Sequence, residues 1–236
     1  MKTIAIIPAR GGSKRIPKKN IRLFCGKPMI AYSIEAALRS NLFDQVIVST
    51  DSQDIAEVAI KYGAEVPFIR PKELSDDFAG TDEVVLHALH WMLIKEEINY
   101  VCCLYPTAPF LQESYLTEGL RVLQEKLATR AFSVTSFPFT IFRSLRINEA
   151  GKCEMFWSEN HETRSQDLPE AYHDAGQFYW ATVPSFIEEP KFFTNDTMPI
   201  VLPRYLVQDV DTIEDFETAE FLYKAMQIRN KENDER

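Results

Sequence analysis

Between Ile4 and Ser136 the chain alternates short, continuously apolar runs with amphipathic stretches, and this alternation restricts the fold more than any other feature. Ile4–Ile7, Gln45–Ser49, Val66–Ile69, Tyr100–Leu104 and Ala131–Ser136 read as strands. Pro28–Ser40, Asp54–Tyr62, Asp82–Ile94 and Ser114–Leu127 carry apolar residues at helical spacing. Pro28 suits a first helical turn, and Gly63 suits the position just past a helix end. Strand and helix taking turns at this spacing require crossover connections, hence a mainly parallel sheet. Strands apolar on both sides fit a sheet covered by helices on each face. The expectation is an α/β sandwich.

The pattern changes after Phe137. Residues 138–204 are richer in aromatics, proline and asparagine, and read as an insertion with short antiparallel strands inside a single domain spanning 1–236. Its aromatics need burial, either against a second subunit or as a cap on the same chain. Leu202–Val207 reads as a strand, Thr212–Arg229 as a helix with Thr212 three residues before Asp215 in a capping pattern, and Lys231–Arg236 as a frayed polar tail.

The formal charge of −9 argues against nucleic-acid or anionic-membrane partners, which need clustered positive charge. Cys25, Cys102, Cys103 and Cys153 contain no CxxC pair, so neither a disulfide framework nor a zinc site is expected. The apolar start, Ile4–Ile7, is too short for a signal segment or a membrane span, and a cytoplasmic location is the simplest reading.

Against that acidic background, the segment after the first strand stands out. Pro8-Ala9-Arg10-Gly11-Gly12-Ser13-Lys14-Arg15-Ile16-Pro17-Lys18-Lys19-Asn20 places five cations between Arg10 and Lys19. It lies at the strand end where open α/β sheets bind ligands. Gly11 and Gly12 let backbone N–H groups approach an anion, and Ser13 adds a hydroxyl. A polyphosphate site needs this local contrast. The segment is neither a Walker A loop nor GxGxxG; read alone, a solvated basic loop stays open.

Ala-Arg-Gly-Gly-Ser-Lys, followed by Lys19-Asn20 and Gly26-Lys27-Pro28, resembles the opening of the acylneuraminate cytidylyltransferases (CMP-sialic acid synthetases). The resemblance implies a Rossmann-like nucleotidyltransferase three-layer sandwich that takes CTP and a nonulosonic acid. It implies that Ala9, Arg10, Gly11, Gly12, Ser13, Lys14, Lys19 and Asn20 surround the nucleotide. Arg70 and Thr81 match an arginine and a hydroxyl residue of the family near the nucleotide; read alone, Thr81 is a plain helix N-cap.

Four further motifs extend the resemblance. Gln208-Asp209-Val210-Asp211 matches the family's Asp-x-Asp; residues two apart in extended chain face the same side, so Asp209 and Asp211 present paired carboxylates for Mg²⁺, although the motif alone also fits a solvated turn. Tyr105-Pro106-Thr107-Ala108-Pro109 departs from the family's Gln-Pro-Thr-Ser-Pro, which bears on the sugar bound. Arg164-Ser165-Gln166-Asp167-Leu168-Pro169 is similar to a sugar-facing stretch, with Arg164 either forking onto the sugar carboxylate or forming a surface salt bridge. His173-Asp174-Ala175-Gly176-Gln177-Phe178-Tyr179-Trp180 is most similar to the branch acting on pseudaminic acid, which puts Tyr105, Gln166, Gln177 and Tyr179 beside the sugar; His173–Asp174 itself reads as a structural pair. Phe192-Phe193 resembles the aromatics of a homodimer arm reaching the sugar.

The implied chemistry is in-line attack of the sugar's anomeric hydroxyl on the α-phosphorus, with Arg10, Lys14, Lys19 and Asp211 as the catalytic set. Alternatives within the fold act on N-acetylneuraminate, legionaminate, Kdo or a sugar phosphate; a non-catalytic nucleotide-binding module is the alternative of another class.

Overall fold

Thr3–Pro8 forms β1, whose successive residues are apolar and face alternate layers. Ala5 and Ile7 pack into one core with Ile30 and Ile34, whereas Ile4 and Ile6 pack into a second with Val85 and Leu89. Ile4, Ile6 and Ile7 are fully buried, each contributing about 1.5–3 kcal/mol. The computed structural model describes residues 1–234, with side chains through Arg229.

The remaining strands are β2 (Leu23–Phe24), β3 (Lys27–Pro28), β4 (Gln45–Ser49), β5 (Tyr100–Leu104), β6 (Arg130–Ser136), β7 (Leu145–Ile147), β8 (Cys153–Met155), β9 (Tyr172–Thr182) and β10 (Thr197–Val201). The helices are α1 (Met29–Ser40), α2 (Gln53–Lys61), α3 (Thr81–Leu93), α4 (Glu113–Gln124), α5 (Val183–Glu188) and α6 (Ile213–Asp234). Six strands form one sheet in the order β10-β6-β9-β5-β1-β4. Its pairings are parallel except at β9, which runs antiparallel to both neighbours. The α/β sandwich is as expected. No helix among the described residues is long and apolar enough to cross a membrane.

Glycine fixes one contact between layers. A Cβ on Gly119 of α4 would lie 2.5 Å from Trp180 Cδ1, so the helix seats on β9 only because that atom is missing. Trp180 is also stacked on Phe43, at 5.3 Å and 11°. A third cluster, containing Phe24, Tyr32, Phe110 and Phe216, tethers α6 to the β2–β3 hairpin. The expected cap is formed: Asp215 Oδ2 accepts the Thr212 N–H at 2.8 Å, and Thr212 Oγ1 accepts the Asp215 N–H at 3.1 Å.

Three segments depart from the sequence reading. Val66–Ile69 is not a strand; Glu65 and Ile69 make only isolated bridges to Ile47 and Thr50, because Pro67 between them has no N–H for a ladder. Leu202–Val207 is not a strand either: β10 ends at Val201, and Pro203 opens a 3₁₀ turn over Arg204–Leu206. Residues 138–204 are not set apart as a whole, since β9 and β10 join the main sheet and only the β7–β8 hairpin forms a separate pair. Of the expected polar tail, the α6 backbone covers Lys231–Asp234, and the last two residues lie outside the described residues.

Candidate active site

The loop leaving β1 is strapped to the sheet before it presents its charges. Ala9 N–H bonds to Ser49 O at 2.9 Å, and Gly11 N–H bonds to Asp51 Oδ1 at 2.8 Å. A Cβ on Gly11 would meet Ser52 Cβ at 3.0 Å, so the close approach favours glycine. Asn20 Nδ2 donates to Arg10 O at 2.9 Å and closes the loop on itself. Beside it, Arg70 is held by its backbone N–H on Thr50 O at 2.8 Å and is almost wholly buried. Its Nε donates to Ser75 Oγ at 3.2 Å, Asp51 stands 3.8 Å away, and its buried Nη2 has no hydrogen-bond partner among the described residues. Burial lowers the Arg70 pKa, Asp51 opposes that shift, and Arg10 adds to it. A buried unsatisfied donor on a cavity wall is a ready partner for an anionic or carbonyl oxygen.

These groups line a cavity of about 700 Å³, and the far end of the chain closes it. Val210 is buried in the cluster under α6 while Asp209 and Asp211 face the cavity, the alternation expected of them. Lys19 Nζ donates to Val210 O at 2.7 Å. The expected Arg10, Ser13, Lys14, Lys19, Asn20, Arg70, Thr81, Tyr105, Asp209 and Asp211 all line this space. Ala9 is buried behind it, and Gly11 and Gly12 are outside its lining.

Every cation of the loop meets an acid. Arg10 pairs with Asp77 at 2.9 Å and donates to Asp76 O at 2.5 Å; Lys14 also pairs with Asp77. Arg15 pairs with Asp211 at 2.8 Å, Lys19 lies 3.6 Å from the same carboxylate, and Lys18 pairs with Asp54 at 2.7 Å. The Lys14 hydrogen bond, aided by the charges of Lys14 and Arg10, holds the Asp77 carboxyl below the usual aspartate value. Asp76 and Asp77 were not singled out in the sequence; nothing in their neighbourhood shows that they cross to a loop more than sixty residues earlier.

A second cavity of about 600 Å³ abuts the first, with Thr81 and Tyr105 on the walls of both. Tyr105 Oη lies 3.3 Å from Thr81 Oγ1, and its ring is 5.1 Å from that of Tyr179. Burial raises both phenol pKa values, keeping them protonated donors. Phe132, Phe192 and Phe193 supply further walls. A β-bulge shapes this cavity: β6–β9 pairing jumps from Phe132↔Tyr179 to Val134↔Asp174. Gly176 takes a φ of 62° within the bulge, and Ser133 Oγ accepts the Gln177 and Phe178 N–H groups at 3.3 and 3.2 Å.

That bulge corrects one expected sugar contact. Gln177 is buried away from both cavities and donates to Leu206 O at 2.5 Å. Arg164 and Gln166 are corrected as well: both are exposed in a 3₁₀ turn outside either lining, and Arg164 Nε binds Asp167 at 2.8 Å, the surface-pair reading. Tyr105, Tyr179, Phe192 and Phe193 do line the second cavity. Asp82 and Asp174, also on its walls, were not chosen as site residues; no sequence spacing shows which side of a bulge or a helix end faces a cavity.

Paired carboxylates opposite a basic loop suit a triphosphate, and an adjoining apolar chamber leaves room for its acceptor. This is the plan of an α/β nucleotidyltransferase. The chain belongs to the family described as Cytidylyltransferase, which matches residues 4–229. It is 48% identical over 226 residues to a pseudaminic acid cytidylyltransferase of Campylobacter jejuni, covering 95% of this chain and 97% of that one. It is 34% identical to the CMP-N,N'-diacetyllegionaminic acid synthase of Legionella pneumophila, over 96% of this chain and 98% of that one. A CMP:2-keto-3-deoxy-manno-octonic acid synthetase solved with CTP superposes with a TM-score of 0.69 over 96% of this chain and 100% of that chain; at 18% identity, the likeness speaks to the fold.

Proposed function

We propose that this enzyme transfers CMP from CTP to the anomeric hydroxyl of pseudaminic acid and releases pyrophosphate. The observation that carries the reading is the shared wall between the cavities: Thr81 and Tyr105 put an acceptor in the aromatic chamber next to a nucleotide in the cationic one. The printed activity of the Campylobacter jejuni relative supports the choice of sugar. So does the second chamber, whose rings suit a sugar with a methyl terminus and two acetamido groups better than a fully hydroxylated one.

Phosphoryl transfer chiefly requires positioning and charge neutralisation. In this proposal Arg10, Lys14 and Lys19 offset the charge of the leaving pyrophosphate. Ser13, Asn20, Arg70 and Thr81 hold the nucleotide, and Ala9, Gly11 and Gly12 shape the loop that carries Ser13 and Asn20. Tyr105, Tyr179, Phe192 and Phe193 hold the sugar. Asp209 and Asp211 share one side of the chain, and no group of three or more acidic, histidine or cysteine side chains among the described residues forms a complete metal cage. Asp209 and Asp211 would hold Mg²⁺, a hard cation that takes oxygen ligands. Such an ion, when bound, polarises the α-phosphate. In this proposal Asp211, which lines the cationic cavity, is the residue assigned to take the proton of the attacking hydroxyl.

We further infer a homodimer formed through the excursion that carries β7 and β8, because Phe139, Leu145, Ile147 and Phe156 are exposed there together. A reducing cytoplasm suits the four unpaired thiols. The test of the reaction is pyrophosphate release from CTP and Mg²⁺ with a panel of free sugar acids. Preference for N-acetylneuraminic over pseudaminic acid would refute the sugar assignment, and no release with any sugar acid would refute the reaction.

A further inference from the structure

The aromatic cavity is lined by two carboxylates, Asp82 and Asp174, and by no lysine or arginine among the described residues. Asp174 is already committed: one oxygen accepts the Gly176 N–H at 2.7 Å and the other the Tyr179 hydroxyl at 2.7 Å. Asp82 is only partly committed. It stands in the first turn of α3, on the cavity wall, where the Phe192 backbone N–H is its one hydrogen-bond partner, and it enters no ion pair among the described residues. Burial raises its carboxyl above the usual aspartate value, and the Phe192 backbone N–H opposes that rise. A half-buried carboxylate accepts and never donates, so it calls for an N–H or O–H from whatever fills the cavity.

The surroundings narrow the donor. Phe192, Phe193, Val134 and Pro199 form the apolar wall of the same chamber. An acceptor beside such a wall fits a donor that carries a small apolar cap, which describes an acylamino group: N–H toward the carboxylate, methyl against the rings. The charge pattern agrees. A sugar acid bears its own carboxylate on the anomeric carbon, beside the reacting hydroxyl, so that group faces the cationic cavity, and the remote acylamino substituents reach the acidic end. We propose that Asp82 is a specificity-determining residue that accepts a hydrogen bond from an acylamino N–H of the sugar acid, whose methyl rests on Phe192 and Phe193. This rests on the nonulosonic-acid reading above.

The test measures kcat/KM for pseudaminic acid, the CTP KM, and the inhibition constant of a nonulosonic acid bearing hydroxyls in place of both acylamino groups. Asp82→Ala is expected to lower kcat/KM for pseudaminic acid by about 10- to 100-fold, the range for a hydrogen bond to a charged group, with the CTP KM within about twofold. The preference for the acylamino sugar over its hydroxyl analogue is expected to shrink by about tenfold. Asp82→Asn keeps the shape and a weaker acceptor, so it falls between wild type and alanine; it decides the matter if the alanine variant melts early. An unchanged sugar preference in both variants, or a CTP KM that rises in step with the sugar's, overturns the proposal while leaving the reaction intact. A wild-type enzyme inert toward every sugar acid overturns both.

Discussion

Lys19 and Asp211 lie at opposite ends of the chain, yet the lysine ammonium stands 3.6 Å from the aspartate carboxylate and donates to the carbonyl of the preceding Val210 at 2.7 Å. This contact brings the basic loop after β1 and the acidic pair before α6 to one cavity, where a cation-lined wall and a carboxylate pair face the same space.

Asp209 enters no ion pair among the described residues, so its removal tests the metal role with little structural disturbance. Asp209→Asn is expected to lower kcat by about 10²–10³-fold, the scale seen when one electrostatic stabiliser is lost. Pyrophosphate release followed against Mg²⁺ concentration checks it; the loss should recede in part as the metal is raised, while the thermal midpoint stays put.

Asp77 pairs with Arg10 and Lys14, the two cations proposed to meet the phosphates of CTP. Asp77→Asn is expected to tighten CTP, lowering its KM by roughly two- to fivefold, the scale of exposed ion pairs. The gain should fade as salt is added, because these groups are solvent-screened. An isothermal titration with CTP at two ionic strengths reads both effects.

Gly119→Ala sets two effects against each other. Alanine improves helix propensity by about 1 kcal/mol, but its methyl would sit 2.5 Å from Trp180 Cδ1 and 2.8 Å from Nε1. Trp180 has nowhere to retreat, since Phe43 stacks on it. The overlap should win by about 1–2 kcal/mol, seen as a lower midpoint in urea with an unchanged slope.

His87 sits edge-on to Phe68 at 5.1 Å, with its Nδ1 buried and unpartnered among the described residues. Burial, and then the charge of Arg70, push its pKa below the ordinary 6.5. The unfolded chain therefore binds this proton more readily than the folded one. Stability is full above pH 6.5 and declines as pH falls from there to the depressed folded value. His87→Gln should flatten that part of a melting-temperature profile taken from pH 7.5 downward, with the ring contact to Phe68 lost at every pH.

The parallel β5-β1-β4 part of the sheet was legible because Ile4–Ile7, Gln45–Ser49 and Tyr100–Leu104 are apolar on both sides, and only a sheet covered on both faces buries such runs. The loop from Arg10 to Asn20 was legible by contrast with an acidic chain, and Asp209 and Asp211 by their spacing about a buried Val210. One failure was local: Pro67 cancels a strand that its neighbours favour. The others depend on long-range pairing. The bulge between Asp174 and Tyr179 breaks the two-residue rhythm, so Gln177 turns to Leu206 and Asp174 to the cavity. Asp77 and Asp82 gain their meaning from partners that no local window contains.

The reversed direction of β9 has a further outcome. Ser136 pairs with Tyr172, and Phe137 N–H bonds to Ala171 O at 3.1 Å, so the chain departs from the sheet and comes back at the same doorway. Whatever lies between is hung on a hairpin stem. Its length and surface can differ while the strands that shape both chambers keep their places.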